Sequence, residues 1–154
     1  MSNLPNPEIV SPKKVTEYLQ KVSYQSDSSY MPSDFALEFT NFIKLVNGSE
    51  GEENKTPLIH LKMLDDIDGD AENIANLIFR GAAKTTLLGE YLILYLATYG
   101  KLPNFGKVFL AIYISDSVDN GVKSMRKNLE YRWENSEFLQ KYVPEIRFTD
   151  IRWE

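Results

Sequence analysis

Apolar residues recur along this chain in two rhythms. In the first third they fall at helical spacing. Ser11-Pro12 caps and opens one predicted helix, with Val15, Tyr18, Leu19 and Val22 along its apolar side. The polar stretch 25–30 interrupts it. Ser33-Asp34 caps a second helix, with Phe35, Phe39, Phe42, Ile43 and Val46 as its stripe and Asn47-Gly48 as its stop. Residues 48–56 (GSEGEENKT) are polar and acidic, and read as a flexible linker and domain boundary.

Beyond the linker the rhythm changes. Residues 57–66 predict a short helix, ended by the turn at Asp68-Gly69. The apolar run 74–79 suits a buried strand. Residues 84–99 predict a long helix that is apolar around most of its circumference, hence buried on several sides. A loop with Pro103 spans 100–106. Residues 107–115 (KVFLAIYIS) are the clearest strand, a continuous β-branched and aromatic run of the kind covered on both faces in a parallel sheet. A helix follows over 118–134, with Val118, Val122, Met125, Leu129 and Trp133 on one face. A further short helix covers 136–143, and 146–153 begins another strand. Strand, helix, strand, helix is a βαβ order. It predicts an α/β class, with a parallel sheet, flanking helices and a small helical segment in front. The expected division is 1–55 and 56–154.

Composition narrows the chemistry. The chain has 154 residues and a net charge of -5, from 17 Lys and Arg against 22 Asp and Glu. That balance gives no footprint of a dedicated nucleic-acid module. There is no Cys, which removes disulfide scaffolds, zinc fingers, iron–sulfur sites and thiol catalysis. His60 is the single histidine, leaving little material for a multi-histidine metal site or a Ser-His-Asp triad. Residues 1–12 lack the pattern of a signal peptide. The most apolar stretch, 87–99, is too short for a bilayer and is broken by Gly89 and Glu90. A soluble intracellular protein is expected.

The informative segment is Phe79-Arg80-Gly81-Ala82-Ala83-Lys84-Thr85-Thr86, between a predicted strand and a predicted long helix. A phosphate-binding loop needs that context. Backbone N–H groups converge on the phosphates, and the helix N-terminus adds partial positive charge. Lys84 would reach the β- and γ-phosphates of ATP, and the Thr85 hydroxyl would ligate the bridging Mg2+. Thr86 would touch the α-phosphate or cap the helix. The strict pattern G-x-x-x-x-G-K-[ST] is not met, since Ile78 and Ala83 occupy its glycine positions. The alternative is an ordinary strand-to-helix turn with a solvated lysine. The small residues Gly81-Ala82-Ala83 argue against it, because they leave room for a ligand.

Arg80-Gly81-Ala82-Ala83-Lys84-Thr85-Thr86 resembles the deviant Walker A loop of the large terminase subunits of tailed bacteriophages. Glu90-Tyr91-Leu92-Ile93-Leu94-Tyr95 is similar to the helix behind that loop. Tyr113-Ile114-Ser115-Asp116-Ser117, Asn120-Gly121-Val122-Lys123 and Arg126-Lys127-Asn128 resemble the strand and helix that follow. Phe148-Thr149-Asp150-Ile151-Arg152-Trp153-Glu154 resembles the lead to the next strand. The likeness covers roughly 57–154. It implies a P-loop NTPase-like parallel sheet and the ATPase half of a DNA-packaging motor, which drives double-stranded DNA into a capsid. The implied partners are ATP, Mg2+, double-stranded DNA, the portal protein, the small terminase subunit and further copies in a ring, in the host cytoplasm. Lys84, Thr85 and Arg80 would handle phosphate and magnesium. Arg80 matches the loop arginine proposed to sense γ-phosphate charge, with a structural salt bridge as the other reading. The Walker B carboxylate pair, the coupling motif and the nuclease acids of that family have no counterpart in these residues. Asp65-Asp66 precedes the loop and is no Walker B. ATP binding without turnover is therefore expected of these residues. A helicase-like P-loop ATPase and a vestigial interaction module are the alternatives.

Other residues carry two readings each. Leu58, Ile59, His60, Leu61 and Lys62 would supply an adenine shelf, but His60 as a single polar residue on an amphipathic helix is preferred. Asp116 and Asp119 would touch a metal or, preferably, cap the next helix. Lys123, Arg126, Lys127 and Arg132 form a basic cluster that would meet DNA or a neighbour. The interleaved Glu130 and Glu134 favour a solvated face. Trp133 and Trp153 read as core or partner-surface aromatics.

Overall fold

A computed structural model describes residues 30–48, 55–144 and 146. Helix α1 spans Asp34–Asn47, capped by Ser33, whose hydroxyl accepts the Ala36 N–H. Its buried stripe is Phe35, Ala36, Phe39, Phe42 and Val46. Helix α2, Leu58–Asp68, buries Leu61, Met63, Leu64 and Ile67 and packs against α1. Asp65 joins the two. It accepts the Ser33 N–H at 2.8 Å and the Tyr30 hydroxyl. These helices match the periodicity closely, because each lays one apolar stripe on its neighbour.

The long predicted helix is built in two parts. A π-helical stretch, Thr85–Tyr91, runs into α3, Leu92–Tyr99, which ends at Gly100 in the left-handed conformation. The expected loop after it is a small antiparallel hairpin, β1 Lys101–Leu102 against β2 Gly106–Lys107, with Lys101 opposite Lys107. Asn104 at its tip donates to the carbonyls of Asp68 and Gly69, which ties the hairpin to the end of α2. A second π-helical stretch, Val118–Val122, leads into α4, Lys123–Glu134, and α5 is Glu137–Tyr142.

The core is aromatic. Tyr95 of α3 sits among Phe35, Phe39 and Phe42, with ring centroids 5.6, 5.1 and 5.4 Å away, and Phe138 of α5 meets Phe42 edge to face at 5.9 Å. The Tyr95 hydroxyl donates to Glu38 at 2.8 Å. Burial and that carboxylate push the phenol well above its usual range. The helix before the acidic stretch and those after it contribute to this one core.

The sheet is where sequence and structure differ. The only ladder among the described residues is the hairpin. Of the run 107–115 only Lys107 pairs, and 74–79 has no ladder. A strand, unlike a helix, borrows its hydrogen-bond partners from a neighbour. Beyond Lys107 and Val108, whose N–H donates to the Gly100 carbonyl at 2.9 Å, neither run has such a neighbour among the described residues. Leu77, Phe109 and Ile114 are 97%, 92% and 85% exposed. Only Ile78 and Tyr113 lean on the core. The predicted helix over 11–22 and the run 147–153 lie outside the described residues. No helix among the described residues is long and apolar enough to cross a membrane.

Candidate functional site

The loop between Phe79 and the long helix takes a positive φ at two residues, and only the second is strained. Gly81 has φ +93, with open space where a Cβ would lie. Ala83 has φ +51, a left-handed conformation that only glycine adopts without cost. Ala83 is also the residue directly before Lys84, the second glycine position of the strict phosphate-loop pattern. A weak turn bond runs from the Ala82 N–H to the Phe79 carbonyl, at 3.5 Å. The helix then begins, with the Leu87 N–H donating to the Ala83 carbonyl at 2.9 Å. The N–H groups of its first turn have no earlier carbonyl to bond, so the partial positive end of the helix opens at Lys84 and Thr85.

Lys84 folds back over the loop. Its Nζ donates to the Ile78 carbonyl at 2.8 Å and to the Phe79 carbonyl at 3.2 Å. Thr85 is exposed and Thr86 half-buried. Ala82 is buried, and its carbonyl lies 2.8 Å from His60 Nε2 on α2. Arg80 is exposed and pairs with no carboxylate among the described residues. The structure thus ties His60 to the loop at Ala82 and folds Lys84 back on it, and leaves Arg80, Gly81, Ala83 and Thr85 at the surface.

Behind the loop the helix is firmly anchored. A Cβ at Gly89 would lie 2.6 Å from Met125 Cε, so the glycine lets α4 approach closely. Glu90, 5% exposed, accepts from Asn128 Nδ2 at 2.9 Å and from Arg132 Nε at 2.6 Å. Arg132 also donates to the Tyr91 hydroxyl at 2.7 Å and lies 4.3 Å from that ring's centroid. Tyr91 in turn donates to Asn47 at the end of α1. This buried network was not legible as such. Arg132 read as part of a solvated basic face, and its helical spacing from Glu90, 42 residues away, carries no pairing signal.

The remaining candidates have structural roles. Lys123 pairs with Asp119 at 2.7 Å and Arg126 with Glu130 at 2.8 Å. The cap of the 118–122 turn is Ser117, whose hydroxyl accepts the Asn120 N–H, and not Asp116 or Asp119. Asp116 accepts from Ser115 Oγ. Trp133 is half-buried against the core and donates to the Val143 carbonyl at 2.9 Å. Among the described residues no three His, Asp or Glu side chains gather as a metal cage. Compared with protein-family models, curated proteins and solved structures, the chain matches none of them.

Proposed function

We propose that residues 79–86 bind the phosphates of Mg2+-ATP, and that the chain is the ATP-binding portion of a viral DNA-packaging motor. The observation that supports this most is the backbone of Ala83. A left-handed residue, a lysine and a long helix follow one another there, as they do in a phosphate loop, although the run 74–79 before them forms no ladder among the described residues. An ordinary turn has no need to hold an alanine at that φ. In this reading Lys84 leaves the Ile78 and Phe79 carbonyls for the β- and γ-phosphates. Gly81, Ala82 and Ala83 line the phosphates, Thr85 holds Mg2+, and Arg80 faces the γ-phosphate. The motor's identity, with double-stranded DNA, a portal and a small subunit as partners, rests on the sequence resemblance over 57–154.

The Walker B carboxylate pair has no counterpart in these residues, and three of the acids present serve structural contacts. Glu90 serves Asn128 and Arg132, Asp119 serves Lys123, and Asp65 serves Ser33 and Tyr30. Binding without hydrolysis is the expected behaviour of these residues. Titration calorimetry with Mg2+-ATP tests the reading. Lys84→Ala should weaken binding at least about tenfold, the worth of one charge-assisted hydrogen bond. Thr85→Ala should remove the magnesium dependence. Equal affinity in wild type and Lys84→Ala would overturn the proposal, as would phosphate release that Lys84→Ala abolishes for the claim of no turnover.

A further inference from the structure

His60 sits on α2, outside the loop, yet its ring touches the loop at one atom. Nε2 lies 2.8 Å from the Ala82 carbonyl oxygen. A carbonyl accepts and cannot donate, so Nε2 carries the proton and donates it. The peptide bond between Ala82 and Ala83 is trans, as are all those among the described residues. In a planar trans peptide the C=O and the following N–H point in opposite directions. Fixing the Ala82 carbonyl toward α2 therefore turns the Ala83 N–H away from α2. That N–H has no partner among the described residues. Its residue is the one held at φ +51, a conformation that persists only where the surroundings impose it.

We propose that His60 is the positioning residue of the loop: by holding the Ala82 carbonyl it sets the Ala82–Ala83 peptide plane and aims the Ala83 N–H at the bound phosphate. The phosphate part rests on the function proposed above. The two clamps on the loop then differ in kind. Lys84 binds carbonyls it must release when a phosphate arrives. His60 binds one it keeps, so α2 maintains the loop's shape with or without ligand. Adenine contact is not required of this histidine.

Three forms of the 154-residue protein separate the possibilities: wild type, His60→Phe, which keeps a ring without a donor, and His60→Gln, whose amide still donates. The first readout is ligand-free NMR. The Ala82 carbonyl carbon should move upfield in His60→Phe and return in His60→Gln. The second is affinity for inorganic tripolyphosphate and for Mg2+-ATP. His60→Phe should lose about tenfold for both, and His60→Gln should stay within about threefold of wild type. Equal loss for tripolyphosphate and ATP places the effect at the phosphates. A loss confined to ATP would mean adenine contact and overturn the proposal. So would an unmoved Ala82 carbonyl, or a His60→Gln variant as weak as His60→Phe. If wild type binds neither ligand, the phosphate reading fails, and the carbonyl shift alone decides whether His60 sets the peptide.

Discussion

Phe39 and Phe109 are the same side chain in opposite surroundings. Phe39, on α1, is 0% exposed, with Phe35, Phe42 and Tyr95 around it. Phe109 is 92% exposed, in a run (VFLAIYIS, 108–115) that has neither a proline nor a charge. Hydrophobicity does not separate the two regions. What separates them is how each conformation satisfies its backbone. A helix closes its own hydrogen bonds and needs one covering layer. A two-faced strand needs neighbours at both edges and layers on both sides. The described helices supply the first and nothing in them supplies the second. A bare, uncharged, β-prone run is also the feature that natural sheets hide or interrupt.

The strongest test of this contrast is a pair of truncations read by urea denaturation. Phe39→Ala should cost about 3–5 kcal/mol, for lost burial plus an unfilled cavity. Phe109→Ala should stay within about 0.5 kcal/mol of wild type, since it uncovers nothing. If Phe109→Ala instead cost as much as a core truncation, a neighbour covers the run in solution and the contrast dissolves.

The buried ion pair comes next. Glu90→Ala strands the Arg132 guanidinium, which retains 22% side-chain exposure, and should cost about 3 kcal/mol. A double-mutant cycle with Arg132→Met should show strong coupling, with the double variant recovering much of the loss. Additive effects would mean that Asn128 and Tyr91 hold the helix without the pair.

The described helices were legible because periodicity and caps act locally. Ser33, the stripe from Phe35 to Val46, and the turn at Asp68-Gly69 all signal within one or two turns of the residues they organise. The loop was legible in part. Its lysine and small residues can be read in order, whereas the left-handed Ala83 shows only in the backbone. The link from His60 to Ala82 spans 22 residues, and the Glu90–Arg132 pair spans 42. Such contacts follow from packing, to which spacing is blind. The runs 74–79 and 107–115 are a different case, since they form no parallel ladder among the described residues. Their composition describes the burial a strand needs, and says nothing about whether the neighbour is present.

Gly121 joins the two regions, and its substitution should have an intermediate effect. A Cβ there would collide with the Oγ and Cβ of Ser115, at the end of the bare run. Gly121→Ala should cost about 1–3 kcal/mol by overpacking. Removing the obstructing side chain with Ser115→Gly should restore most of it. Without that rescue, the cost would come from the helical turn itself and not from its contact with the run.

The smallest effect belongs to the exposed counterpart of the buried pair. Asp119 and Lys123 lie 2.7 Å apart, four residues apart on one helical turn, with side chains 79% and 42% exposed. The Lys123 ammonium bonds Asp119 and holds its carboxyl below the usual range. A carboxyl whose folded pKa is depressed stabilises the fold at pH values above its ordinary titration. That contribution fades as pH falls through the folded value, when the carboxylate protonates and the pair is lost. Water and salt surround both groups, so the stabilisation is small even when present. Melting curves of wild type and Asp119→Asn should differ slightly at pH 6 in low salt. They should converge as pH falls through the folded value, and also in 0.5 M salt, where the Debye length falls to about 4 Å. The Glu90–Arg132 pair, shielded by the core, should keep its effect in the same salt. Equal salt sensitivity of the two pairs would mean that water reaches Glu90, and that burial does not distinguish them.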